Sequence, residues 1–147
     1  MVHSEALPSV GRVMGIDWGE RRIGLAISDS SQTTAHPLAT LGRRAGKRFP
    51  MKQLRTHLEI TKPVGIVIGL PLTDEGTEDE RSRVVRDLGA MISEKTHLPI
   101  AYRDERMTTA RALATIREFG ETARGHRKDL DQMAAAVMLQ SFLDVRR

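Results

Sequence analysis

Three acidic residues stand where a carboxylate is costly to bury. Asp17 ends the apolar run Val-Met-Gly-Ile-Asp, Glu105 follows the apolar segment Pro99–Tyr102, and Asp131 precedes the apolar body of the last helical segment. Each has an ordinary explanation on its own. Asp17 can begin a turn and accept from the backbone amides of Gly19 or Glu20. Glu105 can pair with an adjacent arginine, and Asp131 can cap its helix, with Asp129 as the alternative cap that would turn Asp131 inward. Taken together they point to chemistry. In open α/β sheets, strand C-termini and helix N-termini converge on one edge, where ligands bind. Three carboxylates meeting there raise one another's pKa unless a cation neutralises them. Mg²⁺ and Mn²⁺ take oxygen ligands of this kind, and two such ions about 4 Å apart stabilise both the attacking and the leaving oxygen of a phosphodiester. Metal-assisted phosphodiester cleavage is therefore within reach of Asp17, Glu105 and Asp131.

These acids need a scaffold, and the hydrophobic pattern supplies one. Arg12–Ile16 and Ile23–Ser28 are β-leaning runs separated by six residues, which predicts a hairpin with a long loop. Pro37–Leu41 adds a third short strand, and Pro50 suits the first turn of a helix carrying Met51, Leu54 and Leu58 on one face. The unbroken apolar run at 64–70, between Pro63 and Pro71, predicts a strand buried on both faces. Thr77-Glu78-Asp79-Glu80 has the spacing of a capping box, followed by a stripe of Val84, Val85, Leu88, Met91 and Ile92. Pro99–Tyr102 is a short strand, a helix is expected over about 109–118, and a deep helix over about 130–145. Strands first, then alternating helix and strand, then helices, predict an α/β fold with a mixed sheet and helices on both faces.

Length and composition set the outer limits. The 147 residues make one ordinary domain, read as a flexible lead-in over 1–11 and a single domain over 12–147. The absence of cysteine excludes a disulfide scaffold, a thiolate metal site and a cysteine nucleophile. No apolar run approaches the roughly 20 residues that cross a bilayer, and the first dozen residues lack a signal pattern, so a cytoplasmic protein without a membrane partner is expected. Of the 23 cations 18 are arginine, giving a net charge of +4. Arginine suits phosphate oxygens, although a GC-rich genome would give the same bias. One Trp, one Tyr and three Phe are too few for a base-stacking platform, so any nucleic acid would be met through its backbone and shape. The five histidines show no ligand spacing.

Four blocks in order then make the sequence similar to a known family. Gly15-Ile16-Asp17-Trp18-Gly19 leads to Arg22-Ile23-Gly24-Leu25-Ala26 and Asp29; Gly69-Leu70-Pro71-Leu72 leads to Gly76-Thr77. Asp104-Glu105-Arg106-Met107-Thr108-Thr109 follows, and Asp131 with Ala134-Ala135 and Leu139-Gln140 closes the set. This resembles the YqgF family, also called RuvX, over about residues 12–143. The resemblance implies an RNase H-like fold with a mixed five-stranded sheet, in which Asp17, Glu105 and Asp131 match the family's metal-binding acids and hold Mg²⁺ or Mn²⁺, as two ions. It implies an endonuclease acting on structured nucleic acid: the 5′ end of precursor 16S rRNA, or branched DNA at a Holliday junction. Thr73-Asp74-Glu75 departs from the family's usual Asn and apolar residue before the glycine, which affects the shape of that loop and not the acids.

Around the acids, Gly19 and Gly24 allow a tight hairpin and a close backbone approach. Arg22 and Arg106 would each hold the scissile phosphate, orient a carboxylate or form a surface ion pair. Thr108 is expected to cap its helix, and Trp18 to cover core at the hairpin tip. Two basic stretches flank the acids. Residues 43–62 carry seven cations and one acid, and residues 103–128 carry seven cations and four acids. Their candidates for phosphate contact are Arg43, Arg44, Lys47, Arg48, Arg124, Arg127 and Lys128, unless the loops serve only solubility. A monomer or weak homodimer is expected. Two rival classes remain: a non-catalytic nucleic-acid-binding module, and a phosphate-binding lobe of the sugar-kinase type, for which one such domain is too short.

Overall fold

Five strands form one mixed sheet in a computed structural model that describes residues 7–19, 21–42, 49–108 and 127–146. β1 (Val13–Trp18), β2 (Arg22–Ser28) and β3 (Ala35–Gly42) run as an antiparallel meander. α1 (Met51–Thr61) leads into β4 (Gly65–Leu70), and α2 (Glu80–Thr96) leads into β5 (Ile100–Asp104). A short 3-10 turn covers Glu105–Thr108, and α3 spans Arg127–Arg146. The sheet order is β3-β2-β1-β4-β5, with β4 parallel to both its neighbours. The expected helix at 109–118, most of the loop around it and the basic loop at 43–48 lie outside the described residues.

Strand alternation divides the core in two. Met14, Ile16, Ile23, Leu25, Ile66, Ile68 and Ile100 pack under α1 and α2 with Leu54, Val85, Leu88 and Ile92. On the other face Val13, Ala26, Val67 and Ala101 meet α3 through Ala135, Met138, Leu139, Phe142 and Leu143. All six residues of β4 are buried, as a central parallel strand with helices on both faces requires. Small residues let α3 lie close: a Cβ on Gly15 would stand 3.0 Å from Leu139 Cβ. Pro37 sits within β3, where an edge strand tolerates the missing amide donor. Among the described residues no helix is long and apolar enough to cross a membrane.

Several local expectations shift. β1 runs through Trp18, so Asp17 belongs to the ladder opposite Gly24 and does not start the turn. The hairpin loop shrinks accordingly. Pro50 is the N-cap of α1, one residue ahead of the first turn. α2 is capped by Asp79, whose carboxylate accepts from the Arg81 and Ser82 amides while Ser82 Oγ accepts from the Asp79 amide. Thr77 is instead spent on a loop hydrogen bond to Thr73. Asp79→Ala should lower stability by about 1 kcal/mol, read as a melting point about 3 °C lower. Residues 7–11, placed in the lead-in by sequence, are pinned: Leu7 is buried, Gln32 donates to the Pro8 and Gly11 carbonyls, and Arg146 donates to the Leu7 carbonyl.

Candidate active site

The parity that separates the two cores also aims the acids. Asp17 shares its face with Val13 and Gly15 on β1, the face that α3 covers. Glu105 continues the alternation of Ala101 and Arg103 on β5, whose Arg103 Nε donates to Ser141 of α3. Between them on β4 lies Gly69, and a Cβ built there would stand 3.5 Å from Glu105 Oε1, 3.9 Å from Asp17 Oδ1 and 3.7 Å from Met138 Cγ. With hydrogen at this position, carboxylates from β1 and β5 reach across the intervening strand. Sequence reading gave Gly69 no role, although counting by twos from Val67 places it on the α3 face.

Asp17 and Glu105 are hydrogen-bonded to each other. Burial, that hydrogen bond, the Glu105 charge and then the Asp131 charge push the Asp17 carboxyl up from 3.8 to about 8. Without a cation, Asp17 is therefore held largely protonated at neutral pH. A pair of carboxylates with hard oxygen donors, forced together at a strand edge, is chemistry that a divalent cation would relieve. Among the described residues no three acids or histidines stand close enough to hold one ion together.

Asp131 is near enough to act on Asp17 but is otherwise engaged. It lies within α3, which is already helical at Arg127, so it is not the cap. Asp129 likewise lies inside the helix. The Asp131 backbone rests on Gly24, where a Cβ would fall 2.1 Å from the Asp131 carbonyl oxygen. Its carboxylate accepts from Arg22 Nε. The side chains of this pair are 34% and 30% exposed, so the bridge contributes at most about 1 kcal/mol. Its consequence is geometric, since it fixes which way the carboxylate points.

The other cations divide by location. Arg106 pairs with Asp104 and donates Nη1 to the Asp74 carbonyl at 2.9 Å, and the guanidinium holds the Asp104 carboxyl below the usual carboxylate range. Arg43, Arg44, Lys47, Arg48 and Arg124 lie outside the described residues. Arg127 and Lys128 have their backbone in α3 and not in a loop, while their side chains lie outside the description. Thr109, whose helix Thr108 was expected to cap, is likewise outside it. Trp18 stacks on Phe49 at 5.7 Å between ring centroids, on the α1 and α2 side of the sheet, and so covers core as expected.

Known proteins resemble this chain over nearly its whole length. The family profile described as RuvX, Holliday junction resolvase, matches residues 11–145. A protein of Nitrosomonas europaea named "Putative pre-16S rRNA nuclease" is 36% identical over 138 residues, 93% of this chain and 92% of that protein. One of the same name from Lactococcus lactis is 34% identical over 135 residues, 90% and 94% of the two chains. Among solved structures, Thermus thermophilus RuvC in complex with a Holliday junction superposes with a TM-score of 0.55 at 18% identity, covering 92% of this chain and 95% of that one. The yeast mitochondrial Holliday junction resolvase gives 0.57 at 12%, covering 93% and 79%. At such identities these two establish the fold, which is that of the RuvC-like, RNase H-type resolvases. The profile and the relatives settle the rest: the chain belongs to the RuvX family.

Proposed function

We propose that this protein is a divalent-metal-dependent endonuclease on structured nucleic acid, with the 5′ region of precursor 16S rRNA as its substrate. The observation that carries the reading is the meeting of Asp17 and Glu105 across Gly69, on the face where α3 brings Asp131. The names of the relatives supply the substrate class, and the resolvase description of the family supplies the alternative, a four-way DNA junction.

Asp17 and Glu105 would hold Mg²⁺ or Mn²⁺, and Asp131 would join them on exchanging Arg22 for the cation. A cation bound there lowers the pKa of water and screens the charge of the phosphate. The protein's own part would be to present the Asp17 carboxyl, which would release its proton to solvent as the cation binds, and to keep Glu105 opposed to it. Arg22, once released by Asp131, is positioned to meet a phosphate oxygen through its planar fork. Basic residues of the two flanking stretches, Arg43, Arg44, Lys47, Arg48, Arg124, Arg127 and Lys128, would follow the backbone. We place the protein in the cytoplasm as a monomer or weak homodimer.

The test pairs a 5′-extended 16S rRNA precursor with a mobile four-way DNA junction, each with Mn²⁺ and with a chelator. The expected result is Mn²⁺-dependent cutting of the precursor and binding that weakens steeply with salt, as phosphate contacts demand. Cutting of the junction alone transfers the function to recombination. Binding without cutting, equal in both metal conditions, would leave a nucleic-acid-binding module.

A further inference from the structure

We propose that Asp104 and Arg106 form a clamp that positions Glu105, and that Arg106 is a positioning residue and not a phosphate contact; this rests on the nuclease reading of Asp17 and Glu105. The clamp is built from both sides of the glutamate. Asp104, the last residue of β5, accepts from the Arg106 backbone amide at 2.9 Å and so starts the 3-10 turn in which Glu105 lies. The same carboxylate takes the Arg106 side chain in two bonds, Nε to Oδ1 at 3.2 Å and Nη2 to Oδ2 at 2.9 Å. Residues 104 and 106 are thus tied together on one side of the chain. Glu105, between them, is left to face Asp17 on the other.

The clamp is fastened to a second point. Arg106 Nη1 reaches the Asp74 carbonyl at 2.9 Å, in the loop that follows β4 and Gly69. Gly76 adopts φ +85, and a Cβ there would stand 2.9 Å from Arg106 Nη2, so the loop is shaped around the guanidinium. The loop is itself braced. The Thr73 amide donates to the Thr77 carbonyl and the Gly76 amide to the Thr73 carbonyl, both at 2.9 Å, and the two threonine hydroxyls meet at 2.7 Å. Ser82 and Arg81 at the start of α2 donate to the Pro71 and Leu72 carbonyls. Arg106 therefore locks the end of β5 to the end of β4. All three of its nitrogens are engaged within the protein, and its bidentate fork is committed to the Asp104 carboxylate, which leaves two of its five N–H groups.

Calorimetric titration with Mn²⁺ on the full chain, before any cleavage assay, tests the clamp. Arg106→Ala and Asp104→Asn should each weaken Mn²⁺ binding about tenfold or more, the usual cost of losing a partner that orients a ligand. The double variant should be no weaker than the worse single one, because both remove one interaction. Arg106→Lys should rescue little, since one ammonium cannot span Asp104 and the Asp74 carbonyl. The salt dependence of precursor binding should stay unchanged in all of them. Unaltered Mn²⁺ affinity in Arg106→Ala, with a salt slope smaller by about one, would make Arg106 a phosphate contact and overturn the clamp. If the wild type binds Mn²⁺ but cuts no substrate, the nuclease reading fails alone. If it cuts and the variants bind Mn²⁺ normally, the clamp fails alone.

Discussion

Replacing Asp17 with asparagine should cut cleavage on the order of a thousandfold and leave the fold intact. The carboxylate would hold the cation from β1, and losing one ligand forfeits roughly 4 kcal/mol of charge stabilisation in the transition state, where each 1.4 kcal/mol is tenfold. The fold should survive because asparagine has the same shape and removes an ionisable group that the site disfavours. Nucleic-acid binding should persist, since the proposed phosphate contacts would come from cations elsewhere. Cleavage by Asp17→Asn within tenfold of wild type would end the assignment.

The same residue sets a pH signature that needs no substrate. Folding raises the Asp17 carboxyl from 3.8 to about 8, chiefly through burial and then through Glu105. For an acid whose pKa is raised in the folded state, the folded form binds the extra proton, so its contribution to stability is present at low pH. That contribution is lost as pH rises from about 4 through about 8. Metal-free wild type should therefore lose melting temperature over this window relative to Asp17→Asn, whose side chain does not titrate. Mn²⁺ should reverse the loss in wild type only, since it binds the ionised form. Parallel dependence of the two melting points on pH in a chelator would mean that folding does not raise the Asp17 carboxyl.

Much of this arrangement was legible in the residues, for a physical reason. An acid at the end of an apolar strand breaks the pattern, and period-two alternation then gives its face, so Asp17 and Glu105 could be placed without coordinates. The Gly65–Leu70 strand announced itself by lacking any polar position. What could not be read was long-range pairing. Nothing local says that Arg22 meets Asp131, which lies 109 residues away in the chain, or that Arg106 reaches back to Asp74. Local competition also misled. Thr77 and Glu80 have capping-box spacing, yet Thr77 closes the loop with Thr73, and the cap passes to Asp79. The hairpin looked long because an aspartate two residues ahead of a glycine reads as a turn, whereas the strand continues through Asp17 and Trp18.

Gly24→Ala should be among the most damaging single-methyl additions to this chain. The new Cβ would fall 2.1 Å from the Asp131 carbonyl oxygen, 2.6 Å from its carbonyl carbon and 3.2 Å from the Gln132 amide nitrogen. All three are backbone atoms, so no rotamer change relieves the contact and α3 must shift off the sheet. Overpacking of this kind costs on the order of 3 kcal/mol, equivalent to a melting point about 10 °C lower. The displacement also moves Asp131 away from Asp17, so cleavage should fall even below the new melting point. Gly69→Ala is the matched comparison. Its Cβ meets nothing nearer than 3.5 Å, and replacing a strand glycine whose conformation suits alanine changes stability by less than about 1 kcal/mol. Its methyl, however, lies against both the Asp17 and the Glu105 carboxylates, so Mn²⁺ affinity should drop while the melting curve holds. One glycine thus seats the helix that carries Asp131, and the other leaves room beside the two strand-borne acids. A melting curve beside a Mn²⁺ titration separates the two roles. Equal melting points for the two variants would mean that α3 is not seated by its contact with Gly24.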